Sequence, residues 1–162
     1  MMIDEDTGRI VCDHGLVIRP DLRRGDLAYA EAEQLAESQG IGNGFVKLSF
    51  STLTIGSEEF QADLVFAPDG EIAIVVFSLI IPELIVKHDI AAEECRHRAH
   101  LHIINRDLGA QARFRWGQVR CDLDRKAEHS WLTVIYWDLD KVPAGIPDPI
   151  RYLCGREDLP EN

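Results

Sequence analysis

Polar and apolar residues alternate with a period of two over much of this chain, and the places where that period breaks divide it into elements. In "GRIVCDHGLVIRP", Ile10 and Cys12 alternate with polar neighbours, Asp13-His14-Gly15 supplies a turn, and Leu16 and Ile18 resume the alternation. This predicts a small hairpin that Pro20 stops. "FVKLSFSTLTI" places Val46, Leu48 and Phe50 on one face against Lys47 and Ser49, and "EFQADLVF" repeats the pattern with Phe60, Ala62, Leu64 and Phe66. After the turn "APDGE", the run "IAIVVFSLII" is apolar on both faces, as a central strand is. Three antiparallel strands are expected over 45–51, 58–67 and 71–80. "FRWGQVRCDL" and "SWLTVIYWDL", joined by the charged loop "DRKAEH", predict a second, wider hairpin.

Helical patterning occupies two stretches. Leu22, Ala30 and Leu35 with intervening Ala and Glu predict a helix near Arg23–Ala30, with a continuation toward Ser38 that Gly40, Gly42 and Gly44 end. Asp89 to Leu108, closed by Gly109, is the stronger helix. The order ββ-α-βββ-α-ββ argues an α+β fold: an antiparallel sheet of five to seven strands with helices packed on one face. No βαβ alternation suggests a nucleotide-binding fold. Residues 1–140 read as one domain and 141–162 as a Pro-rich tail carrying Pro143, Pro147, Pro149 and Pro160. The longest apolar run, Ile72 to Val86, is interrupted by Pro82 and Glu83, which predicts a buried strand and not a transmembrane helix.

Charge narrows the partners. The chain of 162 residues has 28 acids against 17 bases, a net charge of -11, while its 46% hydrophobic content is ordinary for a folded domain. An acidic excess argues against nucleic acid and against an anionic membrane surface as main partners. It suits a basic protein, although acidity also serves solubility alone. The surplus is uneven: 14 acids and 5 bases lie between Met1 and Val75, but 6 acids and 9 bases between Leu84 and Lys126. Asp26, Glu31, Glu33, Glu37, Glu58 and Glu59 are therefore the candidate partner contacts. Trp131 and Trp137 share strand parity with Ile135, while Leu132, Val134 and Tyr136 take the other face. A last strand apolar on both sides is covered either by the fold or by a partner, so both tryptophans are candidate anchors beside their plain reading as core.

The four cysteines, Cys12, Cys95, Cys121 and Cys154, form no C-x-x-C pair. The start "MMIDEDTGRI" has neither the basic nor the apolar part of a signal peptide, so reduced thiols in a cytoplasm are expected. Cys95 and Cys121 fall in apolar patterns and are expected in the core.

"EECRHRAHLH", Glu93 to His102, is the densest chemistry in the chain. A helical step of about 100° sends Cys95 and His102, with Ala91, Ala92, Ala99 and Ile103, to the expected core side, and Glu93, His97 and His100 away from it. Glu93, His97 and His100 at i, i+4 and i+7 could hold a metal with one further ligand, which would make the chain a metal-dependent enzyme or sensor. An ordinary polar helix face is the simpler reading, and no resident cofactor is expected. Neither H-E-x-x-H nor a P-loop, a nucleophile elbow or a dinucleotide fingerprint is present. Cys121 with His129 could be drawn as nucleophile and base, and Asp122, Asp124 and Glu128 as a carboxylate set. A buried cysteine and solvated turn residues account for both more simply.

"DTGRI", "LRRGDL", the "RAH" of Arg98–His100 followed by "LG", then "WGQV" and "SWLTVIYW" occur in that order. Together they resemble a family of small, largely uncharacterised bacterial proteins with a T-G-R-I hairpin, an A-H helix, W-G-x-V and a closing S-x-x-V-x-Y strand. The resemblance spans most of residues 6–137. Gly25-Asp26-Leu27 departs from the family's acidic–aromatic step, and the tail lies outside it. His97 and His102 have no counterpart in the pattern. The resemblance implies an immunity protein that neutralises a toxin, and hence a non-enzymatic, cytoplasmic protein whose partner is a basic toxin domain. A self-associating adaptor using its last strand is a third expectation.

Overall fold

The computed structural model describes residues 2–29, 36–42, 44–84, 89–109 and 113–136. It is an α+β fold. A small hairpin, β1 (Ile10–Val11) and β2 (Val17–Ile18), precedes a seven-stranded antiparallel sheet. The sheet strands are β3 (Ala36–Gly40), β4 (Val46–Ile55), β5 (Glu58–Phe66), β6 (Ile72–Leu79), β7 (Arg113–Phe114), β8 (Gly117–Asp124) and β9 (His129–Ile135), in the order β3-β4-β5-β6-β9-β8-β7. One α-helix, α1 (Ile90–Leu108), packs on one face.

The meander and both hairpins form where the alternation places them. The first helical stretch departs from expectation. Arg24–Tyr29 is a 3₁₀ turn, and Ala36–Gly40 is an edge strand and no continuation of a helix. It pairs with β4 at every position from Ala36↔Phe50 to Gly40↔Val46. Tertiary pairing outweighs the helical preference of Ala and Glu here. The glycines after it close the β3–β4 turn: Gly42 and Gly44 both have positive φ.

The last strand is also not where hairpin logic leaves it. β9 lies inside the sheet, bonded to β6 on one side and β8 on the other, in registers that include Val75↔Val134 and Val119↔Val134. Its backbone therefore offers no open edge, which corrects the expectation of self-association through it. Asp122 and Asp124 belong to β8, not to the loop.

Strand alternation divides the sheet into two faces. The helix side carries Leu48, Phe50, Phe60, Leu64, Phe66, Val75, Phe77, Leu132 and Val134, all buried. The β1–β2 hairpin adds Ile10, Cys12, Leu16 and Ile18 to this core, and α1 adds Ile103 and Leu108. The outer side carries a buried stripe of Val65, Ile74, Val76, Trp131 and Ile135. Beyond that stripe its character turns polar, with Lys47 and Ser49 on β4 and Glu59, Gln61 and Asp63 on β5.

α1 starts at Asp89, whose carboxylate accepts from the Ala92 N–H at 2.8 Å, and ends at Gly109 with φ 63°. Its buried face is Ala92, Glu93, His100, Ile103, Asp107 and Leu108, while Cys95 and His102 are exposed. The helix is rotated from the expected orientation: Ala92 and Ile103 face inward as expected, but Cys95 and His102 do not, and Glu93 and His100 do. Ile103, Ile104 and Leu108 bury several times the area of an alanine methyl, so they, not Ala91 and Ala99, turn the helix toward the sheet. Glu93 and His100 follow them in.

Candidate functional site

The inward turn of α1 places an ionisable set against the end of β6. His100 is fully buried. The Leu79 N–H donates to its Nε2 at 3.0 Å, and its Nδ1 lies 3.2 Å from Ser130 Oγ. A ring nitrogen that accepts from a backbone amide carries no proton, so His100 is neutral with its hydrogen on Nδ1. Burial, reinforced by the nearby Arg96, His97 and His129, pushes its pKa down to about 3. Glu93 Oε2 accepts from the Ser130 N–H at 2.8 Å, and its other oxygen pairs with Arg96. Arg96 Nε donates to Leu79 O at 2.9 Å. Two side chains of α1, His100 and Arg96, thus satisfy both backbone groups of Leu79 where β6 leaves the sheet, and Glu93 and Ser130 hold those two in place.

His97 turns to a different partner. Its Nδ1 lies 3.2 Å from Cys121 Sγ. Glu93, His97 and His100 therefore do not share a point. Among the described residues no three His, Cys, Asp or Glu side chains converge as a metal site requires. His97, and not His129, is the imidazole beside Cys121; His129 lies tilted against Trp131 with centroids 5.2 Å apart. Burial raises the Cys121 thiol to about 12, which leaves it protonated and a poor nucleophile at neutral pH. Cys95 is exposed, contrary to its expected place in the core.

Beside this network lies an open cleft of about 440 Å³. Ser51 and Thr52 line it at the irregularity in β4, Glu59 and Gln61 on β5, Ser78 on β6, Glu128 in the β8–β9 turn and His129 at the start of β9, with Arg96 and Glu93 at its inner end. Arg96 is paired with Glu93, so the carboxylates of Glu59 and Glu128 set the charge of the cleft.

The expected contact residues do not form a single patch. Glu37 stands exposed on β3, and Glu59 stands exposed on β5 at the cleft. Asp26 is exposed in the first turn of the 3₁₀ segment, where it accepts from the Arg23 N–H at 3.0 Å. Glu58 points to the helix side and is held by Arg106 at 2.9 and 3.3 Å. Trp131 is buried in the outer-face stripe, which removes it as a surface anchor. Glu31, Glu33 and Trp137 lie outside the described residues, as does the Pro-rich tail.

The motif residues "TGRI", "WGQV" and the closing tyrosine meet in one clasp. Trp116 lies across Gly8, its Nε1 donates to Glu5 O at 2.8 Å, and Tyr136 Oη donates to Gly8 O at 2.7 Å. A Cβ on Gly8 would run into the Trp116 ring, and φ there is +69°. Phe114 stacks on Trp116 with centroids 4.8 Å apart. The motif's remaining histidine and serine, His100 and Ser130, bond to each other. These residues hold elements together. Sequence reasoning missed the clasp because its partners lie more than 100 residues apart.

No family model, curated protein or solved structure matches this chain.

Proposed function

We propose that this chain is a non-enzymatic, protein-binding protein of the immunity type, which neutralises a basic toxin domain by covering its active site with an acidic surface. The observation that carries the reading is the polar end of the outer sheet face. Glu37 and Glu59 are exposed there beside Gln61, while Lys47, the nearest cation on that face, is paired with Asp63 at 3.7 Å. A surface of one sign steers an oppositely charged partner and fixes its orientation. Glu93, Arg96 and His100 are committed to structural bonds, which suits binding better than turnover. A cytoplasmic setting, with thiols reduced, belongs to the same proposal.

The test is capture of a partner by the tagged chain, compared with a Glu37→Lys/Glu59→Lys variant. The expected result is one basic protein retained by the native chain, displaced by salt and lost with the charge reversal. Retention of the same protein by the reversed variant would remove the acidic surface from the account.

A further inference from the structure

The polar end of the outer face is bordered by β3, which among the described residues is the last strand of the sheet on that side. We propose that β3 is a docking edge: an extended segment of the partner adds beside Ala36–Gly40 as a further strand, with a lysine or arginine set against Glu37. The inference rests on the protein-binding reading above and specifies how the partner is held.

The hairpin register shows which backbone groups are open. The Ile41 N–H donates to Phe45 O at 3.1 Å, so Ile41 and Phe45 form a hydrogen-bonded pair. In an antiparallel ladder such pairs alternate with unbonded ones. Gln39↔Lys47 and Glu37↔Ser49 are therefore bonded pairs turned toward β4. The N–H and C=O groups of Ala36, Ser38 and Gly40 face outward. Among the described residues none of these outward groups has a partner.

Natural edge strands are usually blocked by lysine, proline or a bulge. β3 contains no lysine, arginine or proline, and its pairing with β4 runs without a register shift. Glu37, Ser38, Gln39 and Gly40 are all exposed. At about 3.4 Å per residue the open edge runs roughly 14 Å, long enough for the backbone bonds of strand addition.

Charge selects the occupant. A second copy would bring another net charge of -11 to the same edge. A basic strand places its cation opposite Glu37, the favourable cross-strand arrangement, with Glu59 further along the same face.

The experiment uses the full chain and a short capped peptide alternating threonine and lysine, with a glutamate-for-lysine counterpart. Binding is read by fluorescence anisotropy and by amide hydrogen exchange. The lysine peptide is expected to bind and to slow exchange at Ala36, Ser38 and Gly40. Ser38→Pro removes one outward N–H and leaves the bonds to β4, a tolerated place for proline; it is expected to weaken the lysine peptide about five- to tenfold. Glu37→Lys leaves the backbone edge intact and is expected to reverse the preference to the glutamate peptide.

Failure of the lysine peptide to bind the native chain overturns the proposal, as does equal binding of the glutamate peptide, protection elsewhere in the chain or a concentration-dependent dimer that Ser38→Pro dissolves. If lysine-peptide binding survives Ser38→Pro but is lost in Glu37→Lys/Glu59→Lys, strand addition is wrong and the acidic-surface reading stands.

Discussion

His100 is held neutral by its surroundings, and this gives the fold a pH dependence whose size follows from the structure. Its folded pKa is about 3, while the unfolded chain's histidine titrates near its ordinary 6.5. Above the ordinary value both states carry a neutral ring, and the group contributes no pH dependence. As pH falls below it, the unfolded chain takes up a proton that the folded protein refuses, so stability is lost progressively down to the folded pKa. The loss is about 1.4 kcal/mol per pH unit, or roughly 3 kcal/mol on going from about pH 6.5 to about pH 4. Carboxylates held low add to the same trend; Asp4, for instance, accepts from Thr7. The His100 share is therefore isolated by difference. His100→Gln keeps an acceptor near Leu79 N and removes the titration. Urea unfolding across this range is expected to give a native slope steeper than the variant's by about 1.4 kcal/mol per pH unit. Parallel slopes would refute the reasoning, because they would mean that His100 is either protonated in the fold or exposed.

Three further outcomes follow from particular contacts. Gly8→Ala puts a Cβ into Trp116 at a positive φ and is expected to cost about 3 kcal/mol in urea unfolding; in a Trp116→Leu background the penalty should shrink to the backbone part alone, about 1 kcal/mol. Glu93→Gln leaves the Arg96 guanidinium with its charge unpaired and half its bonds, and a loss of about 3 kcal/mol by the same assay is expected; a change below about 0.5 kcal/mol would show that the pair is solvated. In a Cys154→Ser background, Cys95 should react with a thiol reagent first, while Cys12 and Cys121, both raised to about 12 by burial, should react only on unfolding. Mass spectrometry of the labelled peptides reads the order directly.

Much of the sheet was legible because its signal is local. The period of two in β4, β5 and β9 is written in consecutive residues, and the two-sided apolar run of β6 marks it as central. The edge strand was not legible. "AESQG" has no apolar alternation, and only its pairing with β4 makes it a strand. The helix was found at its true ends because Asp89 and Gly109 are strong boundary residues, but its orientation was misjudged by counting alanines as equal to isoleucines. The rotation changes the meaning of "EECRHRAHLH": of the Glu/His/His set expected at the surface, Glu93 and His100 belong to the buried bracket between α1, β6 and β9. The clasp and the central place of β9 depend on contacts across most of the chain, which no local pattern carries. Of the partner-contact candidates among the described residues, Asp26, Glu37 and Glu59 are exposed, whereas Glu58 is bound by Arg106 and Trp131 is core.

The central claim is that an acidic surface steers a basic partner onto the sheet. It is tested most directly by the association rate between the native chain and its captured partner over salt from about 0.02 M to about 0.5 M, a range in which the screening length falls from roughly 20 Å to roughly 4 Å. The expected result is a rate that falls at least about tenfold across the range, with a Glu37→Lys/Glu59→Lys variant starting slow and changing little. A rate independent of salt in the native chain would contradict the claim.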